Sequence, residues 1–329
     1  MKQDPNGLSS GMTSTDTSRV TLGASDLAVS QLSLGGNVFG WTADEEQSFA
    51  VLDAYAAAGG NFVDTADVYS SWAPGNSGGE SETVIGNWLR SRGNREQIVV
   101  ATKAGMAPGL DNLRRDTVRR AVEGSLRRLG VERIDLFYTH RDDLDTPVEE
   151  IVTTLDELVR EGKVRELAAS NIGPERLAAS LEFAAREGLA RYVAVQPHYN
   201  LVSRDTYEGD LAGVVAAHGL SAVPYYALAS GFLTGKYRPG AQVDSARAQG
   251  ASRHLETARG PRVLAALDEV AAAHGAEVSS VALAWLAAQP TVAAPLASAR
   301  TVEQLPALLA AASLRLTEAE LKLLDGASA

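Results

Sequence analysis

Short apolar runs alternate with longer segments of helical periodicity along most of the chain. After a hairpin turn at Gly23-Ala24-Ser25, Leu32-Ser33-Leu34-Gly35 reads as a short strand. Asp44 to Ala58 reads as a helix, with Phe49, Leu52 and Ala56 near helical spacing and Gly59-Gly60 ending it. Asn61-Phe62-Val63 is a strand, and Glu80 to Arg90 a helix carrying Val84, Ile85, Trp88 and Leu89. Ile98 to Ala101 has no alternation, which predicts a strand buried on both faces. Asp116 to Leu129 places Val118, Val122, Leu126 and Leu129 on one helical face, and Ile134 to Tyr138 is the next strand. Pro147 opens a helix to Arg160, and Val164 to Ala169 is a strand. Pro174 opens a helix to about Glu187, followed by a strand at Tyr192 to Val195 and a helix near Asp205 to His218. Leu220 to Tyr226 is a strand, after which the pattern lapses to about Gly260. Helices at Pro261–Ala273 and Val278–Ala288, a strand at Thr291–Ala294, a helix at Val302–Ala312 and a terminal helix from Thr317 complete the chain.

These segments make about eight strand–helix units with no break in composition between them. Such alternation predicts a parallel sheet with helices outside it, and eight units predict an α/β protein built as a closed (β/α)8 TIM barrel. An open doubly wound sheet is the alternative. Against it, no G-x-G-x-x-G follows the first strand, and Gly235-Lys236 is followed by Tyr237 rather than by Ser or Thr. H-E-x-x-H is absent as well.

Composition narrows the function. The 329 residues suit either about two domains or one barrel with insertions. The barrel reading makes residues 19–329 a single domain after a polar Gly/Ser/Thr-rich tail over 1–18, expected to be disordered. That tail has no signal-peptide pattern, and Met12 is a candidate original start. Apolar residues at 45% and charged residues at 22% are globular values. The net charge of −11 argues against nucleic acid and anionic membranes as partners. It leaves room for a local basic pocket. No cysteine is present, which removes disulfides, thiolate nucleophiles and zinc fingers, and suits a cytoplasmic protein. No apolar run reaches ~18 residues. The histidines show no ligand spacing, so no metal site is expected.

A barrel keeps its chemistry at the C-terminal ends of its strands. Those ends carry Asp64 with Tyr69 just beyond, then Lys103, His140, Ser170-Asn171, Gln196 and Tyr225-Tyr226. Each alone has a bland reading: a cap, a packing aromatic, a solvent-facing lysine, a core histidine. Together they read as an acid. A lysine ammonium lowers a tyrosine's pKa, an aspartate holds the lysine charged and fixed, and a neutral histidine orients a carbonyl oxygen. Hydride must then come from a nicotinamide or a flavin.

These residues carry a resemblance. Asn61-Phe62-Val63-Asp64-Thr65-Ala66-Asp67-Val68-Tyr69 resembles the signature of the aldo-keto reductases, and so does Gly79 to Gly86. Ala101-Thr102-Lys103, Ile134 to His140, Ser170-Asn171-Ile172, Val195 to Asn200 and Ala229 to Tyr237 follow in the family's order. The branch it resembles contains aryl-alcohol dehydrogenases and potassium-channel β subunits. The resemblance covers Val20 to the C-terminus. It implies a β-hairpin closing the barrel bottom, extra C-terminal helices and NADPH-dependent carbonyl reduction. Tyr69 would be the acid, Asp64 and Lys103 would tune it, and His140 would orient the substrate. Ser170, Asn171 and Gln196 would hold the nicotinamide, and Tyr225 would stack on it. Leu228, Gly231, Leu233 and Lys236 would wrap the pyrophosphate. At the adenosine end Ser298 replaces the usual Gly, Arg300 and Gln304 are in place, and Ala307-Leu308 replaces Glu-Asn. Arg300 could pair with a 2′-phosphate, favouring NADPH.

Trp41, Trp72 and Phe39 either line a substrate pocket or pack its rim. Arg141, Asp142 and Asp143 either meet a hydroxylated substrate or form a solvated charge run. The stretch Arg238–Gly260 is a candidate lid. The alternative to an enzyme acting on a small-molecule carbonyl is a non-catalytic NADPH-binding subunit of the same fold. A glycoside hydrolase using Asp64 and Asp135 is a weaker third reading, because Asp135 falls mid-strand.

Overall fold

The structure is a computed structural model that describes residues 19–244 and 247–329. The tail over 1–18 lies outside the described residues. Strands β1 (Arg19–Thr21) and β2 (Ala28–Ser30) form an antiparallel hairpin. Then come β3 (Ser33–Gly35), α1 (Glu45–Ala57), β4 (Phe62–Asp64), α2 (Glu80–Arg92), β5 (Val99–Ala104), α3 (Arg115–Leu129) and β6 (Ile134–Thr139). Next are α4 (Val148–Arg160), β7 (Val164–Ser170), α5 (Pro174–Glu187), β8 (Tyr192–Gln196), α6 (Asp210–Ala217) and β9 (Ser221–Ala222). The chain ends with α7 (Ala248–Ser252), α8 (Arg259–His274), α9 (Val278–Ala287), β10 (Leu296–Ala297), α10 (Leu305–Ala310) and α11 (Glu318–Ser328).

Eight parallel strands run in the order β10-β3-β4-β5-β6-β7-β8-β9. The barrel closes through the segment before β10. Ala222 N–H donates to Thr291 O at 2.8 Å, Ala293 N–H to Ala222 O at 2.9 Å, and Leu296 N–H to Pro224 O at 3.0 Å. On its other side β10 pairs with β3. The expected (β/α)8 architecture is therefore present.

Two apolar regions result. Leu34, Val63, Val100, Phe137, Leu167 and Val195 face the helices in the larger one. Phe62, Ala101, Leu136, Ala168, Val193 and Val223 fill the barrel interior, and Leu22, Leu27 and Val29 of the hairpin plug its base. Gly23 makes that plug fit. Its φ is +51°, and a Cβ would stand 2.2 Å from Val193 O.

Helix ends follow local chemistry. Asp44 and Gln47 form a capping box on α1, as Thr317 and Glu320 do on α11. Gly93, Gly130, Gly188 and Gly275 end α2, α3, α5 and α8 in the left-handed conformation. The face Val118, Val122, Leu126 and Leu129 of α3 is buried as expected.

The differences lie in the second half. Helix α6 starts at Asp210 rather than Asp205, because Gly209 adopts φ 98° and ψ −131° and the Thr206 hydroxyl bonds back to His198 O. Strand β9 is two residues long, since Pro224 has no N–H to continue the ladder. The last strand pairs regularly only at Leu296–Ala297, past Pro295, although Thr291–Ala293 already bond to β9.

Candidate active site

Parallel register brings the strand ends level. Asp64 ends β4, Lys103 lies one residue before the end of β5, Ser170 ends β7 and Gln196 ends β8. His140 follows β6 directly, and Ser170 pairs with Gln196. Asp64 and Lys103 are almost wholly buried, at 1% and 0% side-chain exposure. The three N–H bonds of Lys103 are all used: to Asp64 Oδ2 at 2.6 Å, Thr65 O at 2.8 Å and Tyr69 Oη at 3.0 Å. The other oxygen of Asp64 accepts from Gln196 Nε2 at 2.9 Å. Tyr69 Oη lies 3.4 Å from Asp64 Oδ2. The ammonium also stands 4.6 Å from the Tyr69 ring centroid.

The electrostatics correct one expectation. Lys103 was to lower the Tyr69 pKa, but burial first and then the Asp64 carboxylate push the phenol well above its ordinary value. Tyr69 is therefore protonated at neutral pH. Lys103 itself is pulled down by burial, against the opposing pull of Asp64. His140 is held well below its usual range by burial, then by the Lys103 and Arg141 charges. This favours the neutral imidazole at neutral pH. Its Nδ1 has no hydrogen-bond partner among the described residues, and its ring lies 6.0 Å from that of Tyr69.

The residues expected at a nicotinamide form a connected set. Ser170 Oγ donates to Gln196 O at 2.9 Å, Asn171 Nδ2 to Ser170 Oγ at 3.1 Å and to His140 O at 2.8 Å, and Tyr225 Oη to Asn171 Oδ1 at 2.8 Å. Asn171 takes φ 48°, an uncommon conformation that orders this corner. His198 stacks on Tyr225 with ring centroids 5.4 Å apart.

Beside this corner lies a cleft of about 330 Å³, lined among others by Trp41, Leu228, Gly231, Lys236, Arg247, Ser298, Arg300 and Gln304. Ser230 and Gly231 line it from a left-handed turn, with φ 56° and 96°. Within this turn the Ala229 N–H donates to Tyr226 O at 2.7 Å and the Gly231 N–H to Leu228 O at 2.8 Å. Burial, then Arg300 and Arg247, pull Lys236 below its usual range, so three cations crowd one wall. Ser298 Oγ donates to Asn37 Oδ1 at 2.6 Å. Gly35 makes room for it, because a Cβ there would stand 2.5 Å from Ser298 Oγ. Gln304 Oε1 accepts from Arg300 N–H at 2.9 Å, and Ala307 and Leu308 form an apolar wall.

Two expected residues fall elsewhere. Leu233 is a fully buried core side chain and does not line the cleft. Arg141 donates to Asp111 O at 3.1 Å in an outer groove with Asp142, Asp143 and Asp145. His140 takes the inward position after β6, so Arg141 turns out. Asp142 pairs with Arg176 at 2.9 Å, and Asp143 accepts from Leu113 N–H and Thr146, so both are structural. Asp135 pairs with Arg95 at 2.8 Å and accepts from Val100 N–H at 2.8 Å, a structural role also.

Trp41 and Trp72 meet edge to face at 5.6 Å, and Trp72 lies 6.0 Å from Tyr69 while remaining 47% exposed. Phe39 is fully buried packing. Sequence reasoning missed Arg247, whose guanidinium lies 5.6 Å over the Trp41 ring. Its one signal was its place in the candidate lid Arg238–Gly260, of which residues 245–246 lie outside the described residues.

A (β/α)8 barrel with a buried Asp–Lys–Tyr cluster at its C-terminal rim and an anion-suited cleft beside it has the architecture of a carbonyl oxidoreductase. The family model described as "Aldo/keto reductase family" matches residues 31–329, and the chain belongs to that family. It is 32% identical to "Aldo-keto reductase ausK" of Aspergillus calidoustus, over 93% of this chain and 81% of that one. It is 32% identical to "Protein tas" of Escherichia coli, over 89% and 92%. It is 33% identical to a "Probable voltage-gated potassium channel subunit beta" of Oryza sativa, over 86% and 88%. These relatives set it in the aryl-alcohol-dehydrogenase-like and channel-β branch. Among the described residues no single helix is long and apolar enough to cross a membrane.

Proposed function

We infer that the protein reduces aldehyde, ketone or sugar carbonyls with NADPH, and that Tyr69 delivers the proton. The observation that carries this reading is the 3.0 Å bond from Lys103 Nζ to Tyr69 Oη, with Asp64 locked behind the ammonium. Burial and Asp64 keep the phenol protonated until it is needed. Turning its O–H from Asp64 toward a carbonyl oxygen leaves the Lys103 donor facing the charge that develops on Oη. Gln196 fixes the second oxygen of Asp64, so the ammonium cannot swing away. The neutral His140 offers one N–H to the same carbonyl oxygen.

The residues present fit a nicotinamide dinucleotide. Lys236, Arg247 and Arg300 suit its phosphates, and Ser170, Asn171, Gln196 and Tyr225 suit its nicotinamide end. When bound, the cofactor supplies hydride to the carbonyl carbon. Arg300 beside Ser298 favours a 2′-phosphate and hence NADPH over NADH. Trp41 and Trp72 offer an aromatic or sugar face a flat wall.

Tyr69→Phe should keep NADPH binding and lose at least about 100-fold in turnover. Retained turnover in that variant would reject Tyr69 as the acid. Cofactor binding with no turnover of any carbonyl in the wild type would favour a non-catalytic subunit; the rice relative is named as a probable channel subunit beta.

A further inference from the structure

One buried carboxyl near the centre has no part in the mechanism above. Asp67 lies in the turn between Asp64 and Tyr69 and is 3% exposed. Its backbone N–H donates to Lys103 O at 3.0 Å, which ties it to the strand end that bears the ammonium. Its own carbonyl is pressed against Gly78, where a Cβ would stand 2.9 Å away. Neither carboxyl oxygen has a hydrogen-bond partner among the described residues. Three charged groups act on it from the surrounding elements: Glu82 on α2, Arg128 on α3 and Lys103 on β5. Asp64 of β4 stands on the ammonium.

The cationic groups that act on it are engaged with other partners. Arg128 Nε donates to Glu82 Oε2 at 2.6 Å, and Thr102 Oγ1 to Glu82 Oε1 at 2.5 Å. Lys103 uses its three N–H bonds on Asp64, Thr65 and Tyr69. A buried carboxylate without a side-chain donor is costly, so the site favours the neutral acid. Burial first and then Glu82 raise this carboxyl to about 7.

We propose that Asp67 is a positioning residue of the proton transfer, which leaves the Lys103 charge directed at Tyr69 while neutral and diverts it when ionised. The proposal rests on Tyr69 as the acid. The proton that reaches the carbonyl oxygen is that of Tyr69. Asp67 exchanges its own proton with solvent and none with substrate. A second negative charge beside Lys103 weakens the ammonium's support of the forming phenolate, so reduction slows.

The test is the pH profile of Asp67→Asn, which keeps the shape and removes the ionisation. Wild-type kcat for carbonyl reduction should fall about threefold to tenfold as pH rises through about 7. In D67N that step should vanish while the NADPH Kd stays unchanged. Parallel profiles for the two proteins would overturn the proposal and leave Asp67 as packing. A second measurement needs neither turnover nor a folded variant: carboxyl ¹³C NMR of aspartate-labelled wild-type protein. One aspartate should titrate near 7. Titration of every aspartate below about 5 would overturn the proposal as well. Tyr69→Phe, run in parallel, separates the two readings. Retained turnover there rejects the acid assignment, whereas the carboxyl titration reports on Asp67 alone.

Discussion

At the residue scale the site is a balance between burial and pairing. Lys103 and Asp64 are each nearly inaccessible, so their 2.6 Å pair forgoes water on both sides. Removing one partner leaves the other charge buried. Lys103→Met should therefore destabilise the protein by about 3–5 kcal/mol. Tyr69→Phe removes a hydrogen-bonding hydroxyl and should cost only about 1 kcal/mol. Urea unfolding of the two variants measures the contrast, and equal losses would contradict the burial argument. Asp67 gives a pH dependence of definite sign. Its folded value of about 7 lies above the ordinary 3.8, so between those values the folded state holds a proton that the unfolded state has lost. Its contribution is full below about 3.8 and falls as pH rises to about 7, by at most about 4 kcal/mol. Thermal melts of wild type and Asp67→Asn should diverge over that window, with the variant gaining at the alkaline end.

At the element scale, strand ends present the chemistry and loops complete it. The strand ends were legible because strand length, helix caps and apolar spacing are local properties. Asp64, Lys103, His140 and Gln196 were placed from them, and the geometry brings all four to one rim. The segment from Arg238 to Gly260 has no such periodicity, so nothing local marked Arg247 as the residue that lies over Trp41. Leu233 was misjudged for a related reason. The 3₁₀ turns over Ala229–Thr234 alternate buried and open positions without a regular period, and Leu233 falls on the buried side. Arg247→Ala should raise the NADPH Kd by about tenfold, read from tryptophan fluorescence, since a charge-assisted contact contributes about 1.5–3 kcal/mol. An unchanged Kd would leave Arg247 as a partner of Trp41 only. At the barrel base, Gly23→Ala places a methyl against Val193 O at a positive φ. It should lower stability by about 2 kcal/mol and leave NADPH binding intact, which denaturation and titration together would show.

At the scale of the whole molecule, a chain of net charge −11 presents a cationic cleft to solution. The global charge repels an anionic cofactor, and Lys236, Arg247 and Arg300 attract it at short range. Short-range attraction dominates once the ligand is seated, because the overall field is screened beyond about 10 Å at 0.1 M salt. Raising salt to about 0.5 M should therefore weaken NADPH binding severalfold, measured by the same titration. Tighter binding at high salt would mean that the global repulsion prevails. The sequence by itself determined the barrel, the order of its elements, the kinds of residue at each strand end and the family. Those features follow from periodicity over a few turns and from motifs read along the chain. Only the tertiary structure decided that Tyr69 is held protonated, that Arg141 turns outward, and that Asp67 is enclosed without a side-chain donor. These outcomes depend on which groups meet after barrel closure. Lys103 reaches Asp64 across 39 positions of sequence and Gln196 reaches it across 132. Burial and charge at those meeting points are set by the packing around them, which no local pattern records.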